Sequence, residues 1–175
     1  MPIDDSRPFR PLGIAVLTIS DSRTIDDDRS GDALAELLLA AGHRLASRAI
    51  VADDLDQLVE RLSALIVDPD IQCILTTGGT GITGRDVTPE AVEAVADKLI
   101  PGFGELFRYQ SMAKIGTSTI QSRALGAVAG GTYIFALPGS PNAVKDGWNG
   151  ILKEQLDSRF GPCNFVSLID RLQER

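Results

Sequence analysis

The sequence predicts an α/β fold, a parallel sheet covered by helices on both faces. Strand-length apolar runs alternate with segments of helical period, and each crossover is long enough to return the next strand in parallel. The first run, LGIAVLTIS, is apolar without interruption, as a strand buried on both faces requires. A length of 175 residues is one domain's worth. In such folds ligands bind outside the carboxyl ends of the strands, where strand order reverses.

Residues 1–11 are polar, carry Pro2, Pro8 and Pro11, and predict a flexible N-terminal arm ahead of one domain over 12–175. The first strand spans Leu12 to Ser20. Ser30 then caps a helix through Ala41, with Leu34, Leu37 and Leu38 on one face and Gly42 as its stop. HRLASRAIV is a strand with an exposed start, and Asp53 caps a helix in which Leu55, Leu58, Leu62, Leu65 and Ile66 recur at helical spacing. A third strand, Ile71 to Thr77, runs into a glycine-rich loop. Thr88 and Pro89 form an N-cap and first-turn pair for a helix with Val92 and Val95 inward. Gly102 to Ala113 reads as another helix, with Phe103, Leu106 and Phe107 serving either core or interface. Residues 115–131 fit no single element. TYIFALPG is the last strand, and a helix follows from Pro141 to about Leu156.

Hydrophobic residues make up 43% and aromatics 5%, so the core is expected to be aliphatic. The net charge of −7 excludes nucleic acid and acidic membranes as partners. Most of it sits early, since residues 1–60 hold 12 acids and 6 bases. Cys73 and Cys163 lack a CxxC spacing, and His43 alone supplements them, which excludes a thiolate zinc site. Cys73 reads as buried, His43 as a surface or boundary residue and Trp148 as packing. The N-terminus has neither a basic nor an apolar leader region, and no run of about 18 apolar residues follows, which predicts a cytoplasmic protein.

Every strand end carries polar or glycine-rich chemistry: Ser20 and Asp21, Asp53 and Asp54, TTGGTGITGRD, and LPGSP. Turn grammar alone explains any one of these; their shared edge is what points to a site. Glycines at 78, 79, 81 and 84 suit a backbone nest around phosphate. Their spacing also spells GxGxxG, yet it follows the third strand and the helix opens too late for a dinucleotide fingerprint. Neither is it a P-loop, because Arg85 and Asp86 stand where Lys and Ser/Thr belong. Arg85 still offers a cation to phosphate oxygens and Asp86 a ligand for Mg²⁺, making a nucleoside triphosphate a reasonable ligand. Asp53 is either a helix cap or a second carboxylate organising that metal. Asp26, Asp27 and Asp28 read as solvated loop, with Asp28 a further candidate for holding polar ligand groups. Arg123 and Lys145 lie near the same signatures and add local positive charge.

TTGGTGITGRDVTPEAV, with DRSGDAL upstream and IPGFGELFR and LPGSPNAV downstream, resembles the molybdenum-cofactor biosynthesis family of molybdopterin-binding proteins, most nearly its MoaB branch. IGTSTIQSRALGAVAG and RFGPCNF extend the likeness to about residues 12–165. The resemblance implies a three-layer αβα domain with a doubly wound, mostly parallel sheet. It implies Mg²⁺- and ATP-dependent adenylylation of molybdopterin with release of pyrophosphate, or, alternatively, a non-catalytic molybdopterin carrier or scaffold. A different nucleotide-processing hydrolase on a related fold is a third reading. By motif, Asp53 and Asp86 are the catalytic and metal-organising pair. Gly78, Gly79, Thr80 and Gly81 cradle phosphate beside Arg85. Ser20, Asp21, Pro138, Gly139 and Ser140 line the pterin and nucleotide cleft, and Ser122 and Arg123 contact ligand or a neighbouring subunit. Thr83 and Gly84 depart from the adenylyltransferase branch, which carries bulkier or basic residues there, so a different nucleotide affinity is expected. The family also implies a homotrimer or homohexamer and contact with other enzymes of the pathway.

Overall fold

The computed structural model describes residues 3–174. Its elements are β1 (Gly13–Ile19), α1 (Arg29–Ala40), β2 (Arg44–Val51), α2 (Leu55–Ile66), β3 (Cys73–Thr77), α3 (Thr88–Val95), β4 (Lys98–Ile100), α4 (Pro101–Ile115), β5 (Leu125–Ala129), β6 (Thr132–Leu137) and α5 (Pro141–Gly147). A 3₁₀ helix, Gly116–Gln121, follows α4, and α5 continues through a π-helical segment, Trp148–Leu152, into Lys153–Gln155. One six-stranded sheet has the order β2-β1-β3-β6-β5-β4. Strands β2, β1, β3 and β6 pair in parallel, whereas β5 runs antiparallel to both β6 and β4. The order reverses between β1 and β3, which places a crevice at their carboxyl ends.

Period-2 alternation along the buried strands sends side chains into two cores, one on each face. Val16, Leu75 and Phe135 meet Leu34, Leu38, Phe107 and Trp148 on one side. Leu17, Ile74 and Ile134 meet Leu58, Leu62 and Val92 on the other. The three-layer architecture is therefore the predicted one. Its composition is less even than predicted: the second core is wholly aliphatic, and the buried aromatics gather on the first. Trp148 and Cys73 are buried as expected. Phe103 and Phe107 are core, and Leu106 is exposed.

Several local expectations are corrected. Asp28, not Ser30, caps α1, and Asp54, not Asp53, caps α2 through the Gln57 amide at 3.0 Å. Val87 occupies the cap of α3, because the Thr88 hydroxyl is committed elsewhere, donating to the Gly78 carbonyl at 2.8 Å. The ambiguous stretch after α4 resolves into the 3₁₀ helix and β5, joined to β6 by Gly130 and Gly131, both at positive φ. His43 is 5% exposed, and its Nδ1 accepts from the Leu12 amide at 3.2 Å.

Met1 and Pro2 of the predicted arm lie outside the described residues; from Ile3 onward the arm is tied down rather than free. Ile3 bridges Phe160, the Ser158 hydroxyl donates to the Pro8 carbonyl at 2.9 Å, and Arg10 makes a two-pronged pair with Asp170 at 2.8 and 2.9 Å. Those partners lie some 150 positions away, where local composition cannot reveal them.

Candidate functional site

A cavity of about 440 Å³ opens at the carboxyl edge of the sheet. The loop after β3 contributes Gly78, Gly79, Thr80 and Gly81 together with Asp86, and the loop after β6 contributes Pro138, Gly139 and Ser140. Ser122 completes the predicted residues that line it. The opposite wall is one that sequence reasoning missed: Phe107, Ser111 and Ile115 of α4, then Thr119 and Gln121. Helical period along α4 turns these α4 positions to one face, but which face meets the cleft depends on how the helix packs.

The glycine loop is held from several sides. The Gly78 amide donates to the Leu137 carbonyl at 3.1 Å, and the Thr88 amide to the Gly79 carbonyl at 3.0 Å. Gly79 has φ +62°, and a Cβ there would sit 2.4 Å from the Thr88 hydroxyl, so this position requires glycine. Arg123 adds a clamp: its Nε donates to the Gly81 carbonyl at 2.6 Å, its Nη2 to the Asp86 carbonyl at 2.7 Å, and its Nη1 pairs with Glu90. Arg123 thus shapes the loop instead of lining the cavity. Of the loop amides that donate to no protein acceptor among the described residues, those of Gly79 and Thr80 belong to residues that line the cavity. They are the free donors a nest needs for an anion.

The acids at this edge divide by environment. Asp86 accepts from the Thr83 amide at 2.9 Å and the Thr83 hydroxyl at 2.7 Å. Burial pushes its carboxyl up, but these bonds, with the Gly81 amide, outweigh it and bring the group below the usual carboxylate range. Asp21 is exposed, pairs with Arg85 and accepts from the Asp53 amide at 3.1 Å; the Arg85 bond holds its carboxyl low. Asp53 is the exception. No side-chain donor reaches its carboxylate among the described residues, and burial, then repulsion from Asp21, pushes its carboxyl above the ordinary value against the pull of Arg85 and of the Asp21 amide. It stands beside the glycine loop, its Oδ1 3.3 Å from where a Cβ on Gly79 would lie.

Asp21, Asp53 and Arg85 therefore form a charged rim next to the cavity without lining it. Ser20 contributes structure: its hydroxyl accepts the Ser22 and Arg23 amides at 3.3 and 3.2 Å. Lys145 is exposed on α5 and does not line the cavity. Among the described residues no group of three metal-ligating side chains occurs. Asp53 and Asp86 offer only hard oxygen donors, and Mg²⁺ uses one or two such carboxylates with substrate phosphates supplying the rest. A carboxylate short of favourable partners fits a cation of that kind.

Asp28 is no ligand-holding residue. It is fully buried, accepting from Thr18 at 2.7 Å, Gly31 at 2.9 Å and Arg48 at 3.3 Å. Burial raises its carboxyl, and those bonds more than compensate. A second cavity of about 500 Å³, beside His43, Phe9 and Asp157, lies away from the carboxyl edge. Among the described residues no helix is long and apolar enough to cross a membrane.

Comparison with known proteins agrees with this layout. Residues 15–158 match the model of a family described as a probable molybdopterin binding domain. Molybdenum cofactor biosynthesis protein B of Escherichia coli (strain K12) is 46% identical over 160 residues, covering 91% of this chain and 94% of that one. A crystal structure of molybdenum cofactor biosynthesis protein B superposes with a TM-score of 0.86 at 39% identity, over 97% of this chain and 100% of the other. The tungsten cofactor synthesizing protein MoaB from Pyrococcus furiosus superposes with a TM-score of 0.72 at 36% identity, over 83% and 92%.

Proposed function

The chain belongs to the molybdopterin-binding family of molybdenum-cofactor biosynthesis proteins, and from that membership we propose that it is a molybdopterin adenylyltransferase using ATP and Mg²⁺. One observation carries the reading: the two unpartnered amides of Gly79 and Thr80 and the under-partnered carboxylate of Asp53 flank the same cavity. The amides suit a phosphate, and Asp53 suits the metal that accompanies a polyphosphate.

In the proposed reaction a terminal phosphate oxygen of molybdopterin attacks the α-phosphorus of ATP. A new O–P bond forms, the bond to the β-phosphate bridging oxygen breaks, and pyrophosphate leaves. Transfer of this kind needs positioning and charge neutralisation more than a side-chain nucleophile. That requirement suits a cavity lined by neither cysteine nor histidine. Gly79 and Thr80 hold the phosphate by their amides, Arg123 and Asp86 keep the loop in shape, and Phe107 with Ile115 supplies an apolar wall for the pterin. Asp53 and Asp86 are the residues that would hold Mg²⁺, which when bound neutralises phosphate charge. Arg85, now paired with Asp21, is within reach of the same rim to meet phosphate oxygens.

A second reading is a non-catalytic molybdopterin carrier. It is favoured by the commitment of Arg85 and Arg123 to the protein's own carboxylates, since among the described residues no Lys or Arg lines the cavity. Pyrophosphate release with molybdopterin, ATP and Mg²⁺ separates the two. Adenylylation predicts release that requires all three; molybdopterin binding without release would leave the carrier.

Self-association as a homotrimer or homohexamer is part of the proposal. Its support is an apolar strip on α4 and the 3₁₀ helix, where Tyr109 is 77% and Ile120 81% exposed beside Leu106 and Met112. Other enzymes of the pathway are proposed as further partners, and a cytoplasmic location is proposed with them.

A further inference from the structure

We propose that Arg23 is a positioning residue for this cleft, fixing the wall that molybdopterin meets through the Gly139 carbonyl without touching the ligand. The ligand's identity rests on the molybdopterin reading above. Arg23 leaves the turn after β1, where its amide is held by the Ser20 hydroxyl at 3.2 Å. Its Nη1 donates to the Ser30 hydroxyl at 2.7 Å and lies 3.8 Å from the buried Asp28 carboxylate. Its Nη2 donates to the Gly139 carbonyl at 3.1 Å. Among the described residues this is the only hydrogen bond joining residues 20–28 to residues 138–143.

Gly139 lines the cavity and packs hard on the glycine loop: a Cβ there would come within 3.2 Å of the Gly78 Cα. Where Gly139 sits therefore limits where Gly78 sits, and Gly78 precedes the two free amides. Asp28, itself anchored by Thr18 and Arg48, supplies the fixed end of this chain of contacts. The planar guanidinium reaches Ser30 and Gly139 at once, a span that a single ammonium does not reproduce.

The test uses anaerobic calorimetry with molybdopterin alone, and steady-state pyrophosphate release, on wild type, Arg23→Lys and Ser30→Ala. Arg23→Lys keeps the charge and is expected to melt close to wild type. It should bind molybdopterin about tenfold more weakly, the scale of loss expected when a wall of the cleft is misplaced by a fraction of an ångström, and raise KM for molybdopterin while leaving KM for Mg·ATP unchanged. Ser30→Ala loosens the anchor and should shift the same KM by a smaller factor. Should Arg23→Lys fail to fold, Ser30→Ala carries the test by the same split. Unchanged molybdopterin affinity overturns the proposal, as does an equal rise in both KM values, which is what general loosening would give. If the wild type binds molybdopterin yet releases no pyrophosphate, the adenylylation reading fails and calorimetry alone decides on Arg23. A wild type that binds no molybdopterin overturns both.

Discussion

Two carboxylates near the same sheet edge have opposite environments. Asp28 is completely buried, yet Thr18, Gly31 and Arg48 satisfy its oxygens and hold its carboxyl low. Asp53 is only half-buried, yet burial and the neighbouring Asp21 push its carboxyl up, and no side-chain donor among the described residues answers them. Depth alone would predict the reverse order. The difference lies in partners: Asp28 is saturated from within the fold and does structural work, whereas Asp53 is left short of a counter-charge that a ligand can bring.

The largest expected effect falls on the saturated side. Asp28→Ala leaves the Thr18 hydroxyl without its acceptor, removes one of the two carboxylates that Arg48 pairs with, Asp32 remaining, and removes the α1 cap, which should cost about 2–4 kcal/mol in urea denaturation. A loss below about 1 kcal/mol, the value of a surface pair, would mean the network is not structural.

Next comes the loop that joins the two regions. Gly79→Ala forces a side chain into positive φ against the Thr88 hydroxyl, and should cost about 1–2 kcal/mol while weakening molybdopterin binding in calorimetry. Retention of both stability and affinity would show that the loop geometry is less demanding than its contacts imply.

Smaller still is the acid response at the far end of the molecule. Burial holds His43 below its ordinary value, against the pull of Asp157. The unfolded chain therefore takes up the proton more readily than the native one, so stability is fully present above about pH 6.5 and is lost as pH falls from there toward the native value. Denaturation midpoints measured from pH 7.5 to pH 5 should show this slope, and His43→Gln should flatten it. An identical slope in the variant would assign the acid sensitivity to other groups.

Strands buried on both faces were readable because a predominantly apolar run of strand length, bounded by turn residues, fits few other elements, and β1, β3 and β6 all lie within the predicted runs. β4 was not readable: three residues, two of them exposed, carry no period, and they pair only because β5 is beside them. β5 itself had a signal in Gly130–Gly131 between apolar runs, a hairpin signature masked by the parallel crossovers that dominate the rest of the chain. At the site, nine predicted residues line the cavity: those of TTGGTGITGRD and LPGSP stood out by their turn chemistry at strand ends, and Ser122 came only with the family resemblance. The α4 wall and the roles of Arg23 and Arg123 depend on side chains that reach across loops far apart in the chain, as in Arg23 with Gly139. Capping shifted by one residue, from Asp53 to Asp54, because either acid satisfies the same local grammar. That shift matters, since it frees Asp53 from a structural duty.

The most direct test is Asp53→Asn, with thermal midpoint and pyrophosphate release measured on the same preparation. The native value of Asp53 lies above its unfolded one, so at neutral pH its ionisation works against the fold, and stability from this group grows as pH falls through the native value and is complete below the unfolded one. Removing the charge should raise the midpoint slightly, by a few degrees at most, while release falls on the order of a hundredfold. A lower midpoint with release unchanged would contradict the account and return Asp53 to an ordinary helix-end residue.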